Sequence, residues 1–281
     1  MRKATVFLDD LVFAEGPRWR DGRLWFSDMH AREVLTVDMR GNLETVVSMQ
    51  DRPSGLGFLP DGRLVIVSMD DRKLLRLDPK GLTLHADLSG IAPSRCNDMV
   101  MDSQGRAYVG NFGFDTWSGQ EPRDTNLALA MPDGEVRTVA EDVSFPNGSV
   151  ITPDKKTLIL GESRGLRLTA FDIEPDGSLS GRRVWAQLGV PPDGICLDEE
   201  GCIWVAIPSR PGGFIRVAEG GEIKERIDPP EDRVGYACML GGDKGKTLFM
   251  LEGFDSNPNK ISRGNSRITI VEVDAGRAGL P

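Results

Sequence analysis

DGRLWFSD, running from Asp21 to Asp28, sets a polar turn ahead of a short aliphatic and aromatic strand, and the phrase returns along the chain. It reads DGRLVIVS from Asp61, QGRAYVGN from Gln104, DKKTLILGE from Asp154, EGCIWVAI from Glu200 and KGKTLFMLE from Lys244. The copies stand roughly 40 to 50 residues apart, which is the period of one four-stranded propeller blade. Most are followed by a second hairpin, as in VLTVDMRGNLETVV (Val34 to Val47) and LLRLDPKGLTLHA (Leu74 to Ala86), where RG and KG supply the positive φ of a tight turn. The repeats therefore predict an all-β fold, a six-bladed β-propeller with four antiparallel strands per blade. ATVFLDDLVF (Ala4 to Phe13) precedes the first repeat without a hairpin partner, and RITIVEVD (Arg267 to Asp274) ends the last. Pairing them would close the ring and cover a sheet edge, so residues 1–281 read as a single propeller domain closed by the N-terminal strand joining the last blade.

Composition narrows the function. A formal net charge of −9 and the lack of a long Lys or Arg run argue against nucleic acid as a partner. No stretch approaches the roughly 18 apolar residues of a spanning helix, and in MRKATVFLDD the acids Asp9 and Asp10 arrive before any secretion-type apolar core, so no membrane partner and a cytoplasmic location are expected. Cys96, Cys196, Cys202 and Cys238 are scattered without a CxxC pair and read as buried reduced thiols. With His30 and His85 as the only imidazoles, a Ser-His-Asp triad or a His-rich metal site is hard to build. Chemistry should rest on oxygen atoms.

Those oxygens occur in register. The innermost strand of each blade should precede its turn, and the aligned segments are EGPRW (Glu15), SGLGF (Ser54), NDMVM (Asn97), NGSVI (Asn147), DGICL (Asp193) and GYACM (Gly235). The first positions hold Glu15, Ser54, Asn97, Asn147, Asp193 and either Gly235 or Tyr236. Asn-Gly and Asp-Gly alone are ordinary turn dipeptides, but their recurrence at one repeat position points to a shared role. Two carboxylates aimed into one channel repel one another, and a cation would relieve this. Glu15, Asn97, Asn147 and Asp193 offer only hard oxygen donors, which suits one divalent metal ion, Ca²⁺ first and Mg²⁺ or Mn²⁺ next.

The motifs AEGPRW (Ala14 to Trp19), RCNDMVMDSQGRAYVGN (Arg95 to Asn111), FPNGSVITPD (Phe145 to Asp154) and PDGICLDEEGCIWVA (Pro192 to Ala206) resemble the SMP-30/gluconolactonase/luciferin-regenerating-enzyme family, in this order and across essentially the whole chain. That family is also similar in architecture to diisopropyl fluorophosphatase. The resemblance implies that Glu15, Asn147 and Asp193 bind the metal and that Asn97 is a further ligand or a substrate contact. It implies that Arg95 holds substrate oxygens, while Asp115 falls where some lactonases of the group carry Glu. It implies too that Zn²⁺ or Fe²⁺ could replace the ions above. The expected activity is hydrolysis of a small-molecule lactone or ester, sugar aldonolactone-like, with the ion polarising the carbonyl and Asp193 also handling the proton. The alternatives are a phosphotriesterase-like hydrolase and a non-catalytic ligand-binding propeller.

The longest insertions, Gly113 to Asn126 and Glu252 to Ser266, join second to third strands and so should lie on the metal face, where Trp117 and Phe254 suggest packed or ligand-facing loops. His30 is placed to reach the ligand there, whereas His85 and the strand residues Trp19, Trp25, Trp185 and Trp204 read as structural.

Overall fold

The computed structural model describes residues 2–116, 118–230 and 232–281. Its strands form six four-stranded antiparallel sheets, each built from consecutive strands except the last, whose order runs from the N-terminal strand Thr5–Leu11 to Ser266–Glu272, Thr247–Gly253 and Val234–Gly241. Thr5 pairs with Ile270 and Leu11 with Ser266 across that closing seam. The six recurring phrases form the second strand of each blade, and the expected six-bladed propeller is the fold observed. Among the described residues the only helix is the single 3-10 turn Met29–Ala31, and no helix is long and apolar enough to cross a membrane.

The second strands explain why the repeat was visible. Leu64–Ser68, Ala107–Asn111 and Ile203–Ile207 are buried at every position, because both faces of a blade pack against neighbouring blades. A strand buried on both faces reads as a continuous apolar run. The outermost strands face solvent, as the largely exposed Leu43–Ser48 shows. Apolar clusters accordingly run between blades: one contains Leu24 and Phe26 of blade 1, Phe249 of blade 6, and Trp204 and Phe214 of blade 5. Trp185 and Trp204 are buried, whereas Trp19 and Trp25 are half-buried, Trp19 stacking on Phe249 at 5.4 Å and Trp25 meeting Phe58 edge-on at 5.2 Å. His85 is buried in the outer strand Gly81–Asp87.

The innermost strands Ala14–Arg20, Pro53–Phe58, Cys96–Met101, Pro146–Ile151, Ile195–Leu197 and Val234–Gly241 converge on the axis. In five of them the pairing with the second strand breaks near the start, between Glu15 and Arg18, Pro53 and Leu56, Cys96 and Met99, Pro146 and Ser149, and Gly235 and Ala237. Such a bulge re-aims side chains locally. Blade 5 departs from the expected pattern, since its strand begins at Ile195, two residues after Asp193. Asp193 N instead donates to Ala206 O at 2.9 Å and Gly194 N to Tyr236 O at 2.9 Å, a bond to the next blade.

That closeness dictates glycine after the axial residue. A Cβ on Gly148 would lie 2.6 Å from both Asp193 O and Ile195 N, and one on Gly194 would lie 2.6 Å from Ala237 Cβ. Neither backbone neighbour can swing aside as a flexible side chain would. Gly148→Ala should therefore destabilise the protein by about 2 kcal/mol or more, lowering Tm by about 4 °C or more. Gly90→Ala, where a Cβ meets nothing within 4 Å, should leave Tm nearly unchanged in the same thermal melts.

Candidate active site

The starts of the innermost strands open into a cavity of about 440 Å³, and Glu15, Asn97, Asn147 and Asp193 all line it. The four residues expected to carry the oxygen ligands are thus brought together from four blades. Blade 6 contributes Tyr236, resolving the choice between Gly235 and Tyr236, while Ser54 is buried outside this lining. Both long insertions reach the cavity, through Thr116 on one and Ser256 and Asn257 on the other. Phe254 lies under the Arg233 guanidinium at 3.9 Å, and Trp117 falls outside the described residues.

Each carboxamide is oriented by what its nitrogen donates to. Asn97 Nδ2 donates to Pro146 O at 3.3 Å, and Asn147 Nδ2 donates to Ser163 Oγ at 3.1 Å. Ser163 Oγ in turn donates to Pro192 O at 2.7 Å, so one hydroxyl ties Asn147 to the residue preceding Asp193. These contacts leave the amide oxygens as the hard donors of the pair.

Charge is concentrated beside them. Burial raises the Glu15 carboxyl well above its usual range, and the charges of Asp193 and Asp98 push it further. The residue as a whole shows some surface to the cavity, while its carboxyl is hemmed in by protein. Asp193 is pushed up to about 8, chiefly by burial, with the charge of Asp98 adding to this and the hydrogen bond from Asn147 opposing it. The nearest guanidinium, Arg18, is committed elsewhere: its Nη2 donates to Asp98 Oδ1 at 2.6 Å, its Nε to Leu56 O at 2.7 Å and its Nη1 to Pro17 O at 2.7 Å. His30 also lines the cavity, but burial, helped by the charge of Arg52, lowers its pKa to about 4, so it is neutral at pH 7. Its Nε2 lies 3.3 Å from Ser256 O and its ring packs on Phe13 at 5.1 Å. Arg18 still favours the ionised Glu15 through its charge, but this is outweighed by burial and by the charges of Asp193 and Asp98.

Arg95 and Asp115 are brought together, though outside the described lining of the cavity. Arg95 Nη1 donates to Asp115 Oδ1 at 2.6 Å and Arg95 Nε to Asp70 Oδ1 at 2.8 Å, and Arg52 Nε also meets Asp70, at 2.7 Å. Sequence reasoning missed Arg18, Asp98 and Ser163. A signal for Asp98 was present, since it stands where blades 1, 2, 4 and 5 carry Gly16, Gly55, Gly148 and Gly194. Nothing comparable marks Ser163.

A larger cavity of about 670 Å³ opens at the far ends of the innermost strands, around Arg18, Leu56, Met101 and Arg277. It holds no pair of enclosed carboxylates raised together, so size does not decide the site here. Among the described residues no group of three His, Cys, Asp or Glu could hold an ion unaided, and any ligand set must include the carboxamides.

Residues 13–253 match the family model described as the SMP-30/gluconolactonase/LRE-like region. The chain belongs to this family. Among family relatives it is 26% identical over 249 residues to a 6-deoxy-6-sulfogluconolactonase of Pseudomonas putida, covering 85% of this chain and 82% of that protein. It is 27% identical over 291 residues to a pentonolactonase of Haloferax volcanii, covering 95% and 92%. In fold it is similar to luciferin-regenerating enzyme, with a TM-score of 0.83 at 19% identity over 99% of both chains. In this SMP-30/gluconolactonase/LRE-like chain, then, the axial oxygens lie within the matched region.

The raised carboxyls set a pH dependence. Asp193 titrates at about 8 in the folded chain against an ordinary 3.8, so between those values the folded state holds a proton that the unfolded state has released. Stability contributed by that proton is complete below pH 3.8 and is lost as pH rises through the folded pKa. Protein kept in chelator should show a falling Tm from pH 5 to 8.5, and Asp193→Asn should flatten that slope; parallel curves for the two proteins would contradict the assignment.

Proposed function

We propose that this protein is a divalent-metal-dependent hydrolase that opens a small lactone. The observation that carries the reading is the convergence of two enclosed carboxylates, both raised by burial, with two oriented carboxamides in the lining of a substrate-sized cavity, in a chain whose relatives include named lactonases. Glu15, Asn147 and Asp193 would hold the ion, with Asn97 beside them as a fourth donor or a substrate contact. The donor set fits a hard cation, Ca²⁺ first, because it is all oxygen and its formal charge of −2 matches the ion. When bound, the ion supplies Lewis-acid polarisation of the lactone carbonyl.

The chain's own groups do the rest. The cavity walls orient the ring so that its carbonyl carbon is presented to the attacking water. Asp193 takes a proton from the attacking water as its oxygen bonds to that carbon, and the proton is returned to the ring oxygen as the carbon–oxygen bond breaks. The product is a hydroxy acid, with no other reactant consumed. Asn97 donates no hydrogen bond to Asp193, its nitrogen being directed at Pro146 O, which leaves its oxygen for the ion or a substrate hydroxyl. Ser163 holds Asn147 and the Pro192 carbonyl in place and so keeps Asn147 and Asp193 at a fixed separation. Arg95 and Asp115, already paired, would meet the substrate from the rim. A small-molecule substrate and a cytoplasmic setting complete the proposal, the latter supported by four buried free cysteines, which suit a reducing compartment.

The reading is tested by removing metal with chelator and restoring Ca²⁺, Mg²⁺ or Mn²⁺ singly while ring opening of a lactone panel is followed by proton release. Activity should vanish and return, and Asp193→Ala should lower kcat by about 10²-fold or more. Full activity after metal removal, or faster turnover of phosphotriesters than of any lactone, would overturn it.

A further inference from the structure

A buried hydroxyl of a bound ligand needs a hydrogen-bond partner, and leaving one unmade costs about 1–3 kcal/mol. An aldonolactone brings several. Away from the axial residues, the cavity walls offer few groups to receive them. Phe13, Met29, Phe112 and Tyr236 are buried in one apolar cluster, with Phe145 packed against it. Phe112 and Phe145 stack at 4.7 Å, and Phe13 meets Tyr236 edge-on at 4.7 Å, so two aromatic pairs make up much of the wall.

Most polar wall groups are engaged, enclosed or at the mouth. His30 keeps Nε2 beside Ser256 O at 3.3 Å and its Nδ1 is buried, which leaves the Asn257 amide nitrogen as the main polar group the wall can offer. Ser163 Oγ accepts from Asn147 and donates to Pro192 O. Asn257 Oδ1 accepts from Asn259 N at 3.0 Å. Thr116 and Ser256 are exposed, and the Ser256 side chain is hydrogen-bonded to Tyr236. The Arg95 guanidinium is held between Asp70 and Asp115.

From this division, polar along the axis and aromatic on the walls, we infer that the substrate is a lactone carrying an alkyl chain or other apolar body rather than a polyhydroxylated sugar lactone. The inference rests on the lactonase reading above and names the substrate class for the same cavity. The axial oxygens would meet the ester group, and the aromatic surface would cover the apolar substituent. Each methylene buried there strengthens binding about fourfold.

The test compares δ-hexalactone with δ-gluconolactone, which share a six-carbon skeleton and differ in hydroxylation, and adds δ-decalactone for chain length. Steady-state kcat/KM is measured on the metal-loaded full chain, and each value is normalised to that lactone's hydroxide-catalysed rate. The normalised kcat/KM should favour δ-hexalactone by about tenfold or more and rise again for δ-decalactone. Phe145→Asn places an amide in the wall at a position whose φ of +60° suits Asn, and should shift the ratio back toward δ-gluconolactone. An equal or reversed ratio in the wild type would overturn the apolar assignment and leave the lactonase reading intact. An unchanged ratio in Phe145→Asn would remove the wall as its cause. Turnover of no lactone at all would instead sink the lactonase reading, and this inference with it.

Discussion

The structure depends on how closely six strand starts can approach one axis. A strand can abut the backbone of the next blade only where it carries no side chain, which is why a Cβ on Gly148 would lie 2.6 Å from Asp193 O. The residue before Gly16, Gly148 and Gly194 is then left lining the channel, whereas Ser54 before Gly55 is buried. Glu15, Asn147 and Asp193 are in this sense placed by their neighbours' lack of side chains. A ring that tolerated bulk at Gly16, Gly55, Gly148 and Gly194 would be wider, and its axial oxygens too far apart to share a charge.

Crowding carboxylates in this way is unfavourable, and the fold tolerates it because its stability is generated elsewhere. The largest apolar cluster runs between blades, with Trp204, Phe214 and Phe249 joining blades 5 and 6 to blade 1 away from the cavity lining. Burial of about 25 cal/mol per Å² over such faces can offset the cost of enclosed acids. The chain also neutralises one acid internally. Asp98, in the place of a glycine, accepts a hydrogen bond from Arg18 at 2.6 Å, and both side chains are buried. Breaking such a pair from one side leaves an uncompensated buried charge. Arg18 is thereby hydrogen-bonded to Asp98, and its charge only partly offsets the crowding at Glu15.

The fold was legible because a strand sandwiched between blades must be apolar throughout and must start at a turn, so DGRLWFSD and its copies could hardly have been anything else. The axial residues were legible for a related reason, as a register position repeated in every blade. The bulges that aim them were not, since a break in pairing between Glu15 and Arg18 or Cys96 and Met99 leaves no mark in residue type. Nor was Ser163, a common residue whose significance lies in the distances 3.1 and 2.7 Å to partners sixteen and twenty-nine positions away. Tyr236 was open between two readings, because Gly235 fits the register while the bulge between Gly235 and Ala237 shifts it.

Arg95 and Asp115 show where sequence and structure divide most sharply. As residue types they suit substrate recognition, yet the geometry makes them partners of each other and, through Asp70, of Arg52. An Arg–carboxylate pair anchored at both ends fixes the strand end that carries Arg95 to the insertion that carries Asp115. Thr116, the next residue, lines the cavity. The pair thus sets the position of the mouth whatever it also contacts, and a change at Asp115 acts on the cavity through the loop as well as through its own charge. Substrate choice in this propeller is then divided between an axis that the close packing of glycines leaves little freedom to vary and a rim and wall whose residues are bound by no such constraint.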